Sequence, residues 1–155
     1  MAASKKKPDA PREFRNSKAA RNFHLGERFE AGIVLRGTEV KAIRSGLVNV
    51  TDAFCKIEKG EVFVYHLHIS EYKFGNLNNH PPLRPRKLLL KSREIEKLRM
   101  ALEAGGKVLI VVRLYFKEAL IKLELALGTP KKEHDKREDI RQRDTKREIA
   151  RSMRR

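Results

Sequence analysis

The sequence has no tryptophan, a single cysteine, and aromatic residues at only 6%. Cys55 alone excludes an internal disulfide, and no Cys/His spacing matches a zinc site, which fits a reducing cytosol. No apolar run approaches the ~18 residues of a membrane span. The basic start "MAASKKKPDAPREF" is followed by no apolar segment of the signal-peptide kind. The expectation is a soluble, cytoplasmic protein without a membrane partner. G-x-S-x-G, P-loop and H-E-x-x-H patterns are all missing, so enzymatic chemistry has no anchor and no cofactor is implied. His66 and His68 in "HLH" lack a third partner, and such a pair is far more often a polar sheet surface than a ligand set, so no metal is assigned.

What the chain has instead is positive charge. Lys and Arg number 36 against 20 Asp and Glu, for a formal net charge of +16 and a pI near 10.3. That is far beyond what solubility requires and signals an anionic partner, nucleic acid ahead of a membrane surface. Residues 131–155, "KKEHDKREDIRQRDTKREIARSMRR", hold eleven cations, six carboxylates and hardly any large apolar side chains. Their net +5 leaves +11 on residues 1–130, so the folded body is expected to be basic as well. With so few aromatics, a surface that stacks unpaired bases has weak support, and recognition of RNA by shape and backbone is favoured.

At 155 residues with 40% apolar composition, the chain has the size of one domain. Residues 1–14, rich in Lys, Pro and Ala, read as a disordered basic arm, residues 15–128 as the folded domain and residues 129–155 as a tail. Alternation predicts a strand over residues 28–35. "GTEVKAIRSG" breaks that period. It predicts a short helix with Thr38 as N-cap, Val40, Ile43 and Leu47 on an apolar edge, Gly46 as stop, and Glu39, Lys41 and Arg44 on an exposed polar face. A hairpin over residues 53–58 and 61–69 turns at Lys59 and Gly60, with Phe63, Tyr65, Leu67 and Ile69 sharing a face. Residues 72–86 read as a long exposed loop. "SREIEKLRMALEAGG" reads as a helix capped by Ser92 and stopped by Gly105 and Gly106. Residues 107–128 make two long strands with a tight turn near 117–119, Val108, Ile110, Val112, Leu114 and Phe116 facing one way and Ile121, Leu123, Leu125 and Leu127 lining the same interior. The fold expected is mainly β with α: an OB-like antiparallel β-barrel with short flanking helices and a basic C-terminal tail.

Two clusters stand out. The "GTEVKAIR" helix sets a carboxylate beside two cations, either as an RNA-contacting face or as a solvated one. "RPRKLLLKSR" sets Arg84, Arg86, Lys87, Lys91 and Arg93 around three leucines, either as a basic contact cluster or as a strand entering the core with charged ends. A general RNA-binding or ribosome-associated OB-fold protein, or a metal-dependent nuclease built on Glu30, Glu39 and Asp52, are the readings that compete.

In order and spacing, "NSKAARNFHLGERFEAGIVLRGTEVKAIRSG", "RKLLLKSREI", "LYFKEALIKLELAL" and "KKEHDKRED" resemble the SsrA-binding protein (SmpB) family, the protein partner of tmRNA in ribosome rescue. The resemblance runs from about Asn16 to at least Arg143. It implies a protein that does no covalent chemistry, binds the tRNA-like domain of tmRNA and delivers it to stalled ribosomes for trans-translation. The partners implied are tmRNA, the small ribosomal subunit with its decoding centre and mRNA channel, and the elongation factor that carries aminoacyl-tRNA. Carried over by motif position, Asn16 and Lys18 open the RNA-contacting segment and Glu30 is the carboxylate needed for tmRNA binding. Thr38, Glu39, Lys41 and Arg44 form the signature helix, Lys87 and Leu89 belong to "KLLL", and Lys122 is the remaining basic contact. Leu89 is expected to support the site from the core. Lys122, between Ile121 and Leu123, is expected on the outer barrel face where it can meet a phosphate. Glu30 should either accept hydrogen bonds from bases or 2′-hydroxyls, or hold a neighbouring cation in place. Lys131, Lys132, His134, Asp135, Lys136 and Arg137 match the tail motif that works in the decoding centre. The chain departs from the family where Arg21, Asn22 and Phe23 replace a His-acidic-Tyr run, and where Thr129 and Pro130 replace a basic residue and a glycine.

In a helical tail, opposite-sign and like-sign pairs at i,i+3 and i,i+4 balance, so side-chain electrostatics give the free helix no net help. The tail is therefore expected to be disordered when free and helical on the ribosome, with Thr129 as N-cap and Pro130 at the first helical position.

Overall fold

The computed structural model of the chain describes residues 13–75 and 79–153, without the side chains of residues 133–135 and 139. Its elements are β1 (Glu13–Arg15), α1 (Ala19–Asn22), β2 (Phe23–Ile33), α2 (Gly37–Arg44), β3 (Val48–Asn49), β4 (Phe54–Glu58), β5 (Glu61–Tyr65), β6 (His68–Ile69), β7 (Arg86–Leu89), α3 (Ser92–Glu103), β8 (Val108–Lys117), β9 (Leu120–Pro130) and α4 (Glu133–Met153). Of the proposed N-terminal arm, residues 1–12 lie outside the described residues, and Glu13 and Phe14 belong to β1.

Every pairing in the main sheet is antiparallel. β8 pairs with β4, β4 with β5, β5 with β7, β7 with β2, β2 with β9 and β9 with β8, so six strands close a ring, and β1 adds to β8. β3 and β6 form a separate small ladder. Inside the ring lie Phe29, Ala31, Val62, Val64, Leu88, Leu109, Val111, Leu114, Leu123 and Leu125, together with Cys55, whose thiol is pushed up by burial. Ala42 and Ile43 of α2 and Leu98 of α3 are buried against the same core. The β4–β5 turn carries Lys59 at φ 51° and Gly60 at φ 77°, the two left-handed residues that match strand twist in a two-residue hairpin.

Several local expectations are corrected. β2 begins at Phe23, five residues earlier than the alternation suggested, because a register shift between Leu25 and Arg28 hides the period. The second hairpin strand breaks at His66, which adopts φ 59°. Val62 and Val64 therefore face inward before the break and Leu67 and Ile69 after it, while Phe63 and Tyr65 stay on the other face. In β8 a register shift between Val111 and Arg113 has the same effect: Leu109 and Val111 are inside, Val108 is exposed, and Leu114 restores the expected phase. Neither Thr38 nor Ser92 is an N-cap. Arg36 and Lys91 hold those positions, and their backbone N–H groups donate to Glu39 Oε1 (2.9 Å) and Glu94 Oε1 (3.2 Å) three residues on. The 72–86 loop is not wholly exposed, since His80 is buried and bridges Ile69 O and Thr38 Oγ1, each at 2.9 Å. Finally, Thr129 and Pro130 do not start a helix. They close β9 opposite His24 and Phe23, and α4 begins at Glu133.

Candidate nucleic-acid interface

Three places on the barrel collect the residues singled out in the sequence. The first is a row across four adjacent strands. Tyr115 of β8 pairs with Lys122 of β9, Lys122 with Gly32 of β2, and Gly32 with Leu89 of β7. Strand alternation turns all four outward, because Leu114, Leu123, Ala31 and Leu88 beside them are buried. Leu89 is 54% exposed, which corrects its assignment as core support. Gly32 leaves the row nearly flat: a Cβ there would come 3.3 Å from Leu89 Cβ and 3.8 Å from Lys122 Nζ.

Glu30 sits two residues before Gly32 on the same outer face. Its Oε2 accepts from the Tyr115 hydroxyl and its Oε1 lies 3.4 Å from Lys117 Nζ. The tyrosine hydrogen bond, with Lys117 and Lys122 nearby, holds the carboxyl below the usual glutamate range despite some burial. Burial and the same hydrogen bond push the Tyr115 hydroxyl up to about 12. Of the two roles expected of Glu30, the geometry supports the one in which it holds its neighbours. Beside it, Arg113 reaches Glu124 and Glu13, and Arg28 reaches the other oxygen of Glu124 at 3.0 Å.

The second place is α2. Its buried stripe runs through Glu39, Ala42 and Ile43, so Glu39 does not belong to the exposed face assigned to it. A buried carboxylate needs cations, and the loop and β7 supply them. Arg86 Nε donates to Glu39 Oε2, Arg84 Nη2 to Glu39 Oε1, and Arg86 Nη1 to Leu67 O at 2.6 Å. Burial alone would raise the Glu39 carboxyl, but the bonds from Arg36 N–H, Arg84 and Arg86 outweigh it and hold the group below its usual value. Glu39 thus ties together three segments and cannot touch RNA directly, while Lys41 and Arg44 remain exposed beside it. Lys41 Nζ lies 5.6 Å from the Tyr72 ring centroid. Thr38 is turned to His80, and Lys87, on the outer face of β7, pairs with Glu61 at 3.0 Å.

The third place is the joint of β1 and α1. The Asn16 amide donates to Val111 O at 2.9 Å and its oxygen accepts from Lys18 N, so this side chain fixes the turn. Lys18 is exposed and 3.7 Å from Asp52, at the rim of a groove of about 890 Å³ that Phe23, Phe54 and Leu102 also line. The tail leaves from the same end. Lys131 donates from its backbone N–H to Asn22 O (2.9 Å) and from Nζ to Ala20 O (2.8 Å). Lys132 is exposed, and Lys136 and Arg137 lie on α4 with His134 and Asp135, whose side chains are outside the described residues.

Glu30, Glu39 and Asp52 are held separately, by Tyr115 and Lys117, by arginines, and by Lys18 respectively, so the geometry gives no metal-nuclease site. Among the described residues, no group of three or more His, Cys, Asp or Glu is placed to hold a metal ion, and no helix is long and apolar enough to cross a membrane.

Residues 13–155 match the model of the SmpB protein family. The chain belongs to that family. It is 50% identical over 139 residues to the SsrA-binding proteins of Bacillus cereus (strain AH820) and Geobacillus kaustophilus (strain HTA426), with 90% of each chain covered. It also resembles a chain in the solved structure described as "tmRNA-SmpB: a journey to the center of the bacterial ribosome", at TM-score 0.67 and 36% identity over 84% of this chain and 95% of that one. SmpB is a family of RNA-binding proteins rather than enzymes. The ring of antiparallel strands with short helices is the SmpB arrangement, as the sequence led us to expect.

Sequence reasoning did not single out Tyr115 and Gly32 on this SmpB surface or His80 buried beneath it, and it placed Arg86 in the 84–93 basic cluster without its partner Glu39. Arg86 had a signal, the in-out alternation it shares with buried Leu88, which its charge concealed. Tyr115 had one too, because it lies between the 117–119 turn and the register shift at Val111/Arg113, so the turn alone pairs it with Lys122.

Proposed function

We propose that this SmpB-family chain binds the tRNA-like domain of tmRNA and brings it to stalled ribosomes for trans-translation. The observation that carries this reading is the outward row of Lys122, Gly32 and Leu89 beside Glu30, three strands presenting one cation, one carboxylate and an exposed leucine on a rigid barrel wall. Lys122 meets a phosphate there, and backbone contacts of this kind fix register on RNA without reading sequence. Lys41 and Arg44 of α2 and Lys18 extend the contact, with Lys87 at its margin. Thr38, Glu39 and Asn16 serve it from within, by the bonds described above. The similarity to the SsrA-binding proteins and to the tmRNA-SmpB structure supports the choice of RNA.

The tail, with Lys131, Lys132, His134, Asp135, Lys136 and Arg137, enters the mRNA channel of the small subunit and works at the decoding centre. α4 is polar on all sides, with Ile140, Ile149 and Met153 exposed, so no apolar stripe holds it to the barrel. Its helical form is populated when ribosomal RNA phosphates neutralise the like-sign Lys and Arg pairs, and a channel already filled with mRNA excludes it. The elongation factor carrying aminoacyl-tRNA joins the delivery complex, and all these partners place the protein in the cytoplasm.

Competition binding tests the RNA choice. Labelled tRNA-like domain should stay bound in the presence of excess bulk RNA and be displaced by unlabelled tmRNA. Equal displacement by both would identify a general RNA-binding barrel instead.

A further inference from the structure

We infer that Tyr115 stacks on a base of the bound RNA and that Glu30 serves the site by holding Tyr115, not by touching RNA. The inference rests on the tmRNA-binding reading above and adds a residue and a mode of contact to it.

A carboxylate on a surface that must approach phosphates is a repulsive element unless it is occupied. Glu30 is occupied on both oxygens, by the Tyr115 hydroxyl and by Lys117. The ring it tethers is also held from one face. The Arg113 guanidinium carbon lies 4.2 Å from the Tyr115 ring centroid, in cation–π contact. Arg113 is itself bound to Glu124 and Glu13, so it backs the ring instead of being spent on a phosphate. A side chain fixed at its hydroxyl and on one face loses little freedom when a ligand arrives. Tyr115 is half-buried, so part of the ring remains at the outer surface.

Its position completes the row. The next outward residue on the neighbouring strand is Lys122, followed by the flat floor at Gly32 and then Leu89. An aromatic ring beside a cation is the pairing with which proteins hold an unstacked base and its backbone together. The low aromatic content argues against an extended stacking sheet but not against one ring fixed in place.

The test measures binding of the full chain to an in vitro transcript of the tRNA-like domain across a salt series. Y115L should lower affinity by about 5- to 150-fold, the value of one stacked base. It should leave the slope of log K against log salt unchanged, because no phosphate contact is lost. Y115F keeps the ring and loses the tether, and should lose about 2- to 10-fold. E30Q should weaken binding in the wild-type background and cost nothing further in Y115L, whereas K122A should lower the slope in both backgrounds. Wild-type affinity in Y115L, or an E30Q effect of equal size with and without the ring, overturns the inference while leaving the RNA reading intact. Failure of the unaltered chain to bind the transcript overturns the RNA reading itself. If circular dichroism shows Y115L unfolded, the Y115F and E30Q pair decides: the double variant should match the weaker single one, and full additivity overturns the inference.

Discussion

At the residue scale, two charged side chains that look alike in the sequence have opposite situations. Lys122 points outward from an apolar strand, and K122A should weaken tmRNA binding and lower the magnitude of the log K against log salt slope by ~1. K41A should do the same from the exposed side of α2, and unchanged slopes in both variants would remove these residues from the interface. Glu39 is sealed between Arg84 and Arg86, and its removal leaves a buried guanidinium without its counter-charge. E39Q should therefore cost about 3 to 5 kcal/mol in denaturant unfolding at neutral pH. The sign of its pH dependence follows from a folded-state pKa lowered below the ordinary glutamate value. The stabilisation is fully present above that ordinary value and is lost as pH falls through the lowered one. Unfolding midpoints between pH 7 and 3 should show a loss in the wild type that E39Q has already suffered, and parallel curves would contradict this. Lys122 was legible because strand alternation alone fixes its direction. Glu39 was not, because its burial depends on arginines about 45 residues away that no local pattern reveals.

At the element scale, long strands with steady alternation were readable and irregular ones were not. The 117–119 turn and the glycine stop of α3 are where the sequence puts them, with Glu118, Gly105 and Gly106 all at positive φ. The register shifts in β2 and β8 and the left-handed His66 moved whole runs of residues to the other face, since one extra residue reverses a period of two. The tail is the element whose role can be separated cleanly. Removing everything after Lys132 spares β9 and both bonds from Lys131 to α1. The truncated chain should bind the tRNA-like domain with unchanged affinity and fail to support tagging on stalled ribosomes. Tagging that survives the truncation would refute the proposed work of the tail. So would strong helicity of an isolated peptide of residues 131–155 in buffer without RNA, measured by circular dichroism.

For the whole molecule, the net charge of +16 dominates long-range behaviour. If six or more phosphates are neutralised, affinity for the tRNA-like domain should fall roughly 10³-fold or more between 50 and 200 mM salt. A nearly flat salt dependence would show that the charge serves another partner. The basic body and basic tail were visible in composition alone. The arrangement of the outer row as a whole was not, because it arises only when β2, β7 and the β8–β9 hairpin, distant in sequence, are brought side by side. The two bonds from Lys131 to α1 have a mechanical meaning as well. They clamp the root of α4 to the barrel, so the 21-residue helix, about 32 Å long when fully formed, measures distance from a fixed origin. Its length is then a gauge: four residues added to its middle would carry the tip about 6 Å further and turn it by about a ninth of a revolution, shifting the end of the tail out of register with a decoding site whose position the rest of the complex dictates.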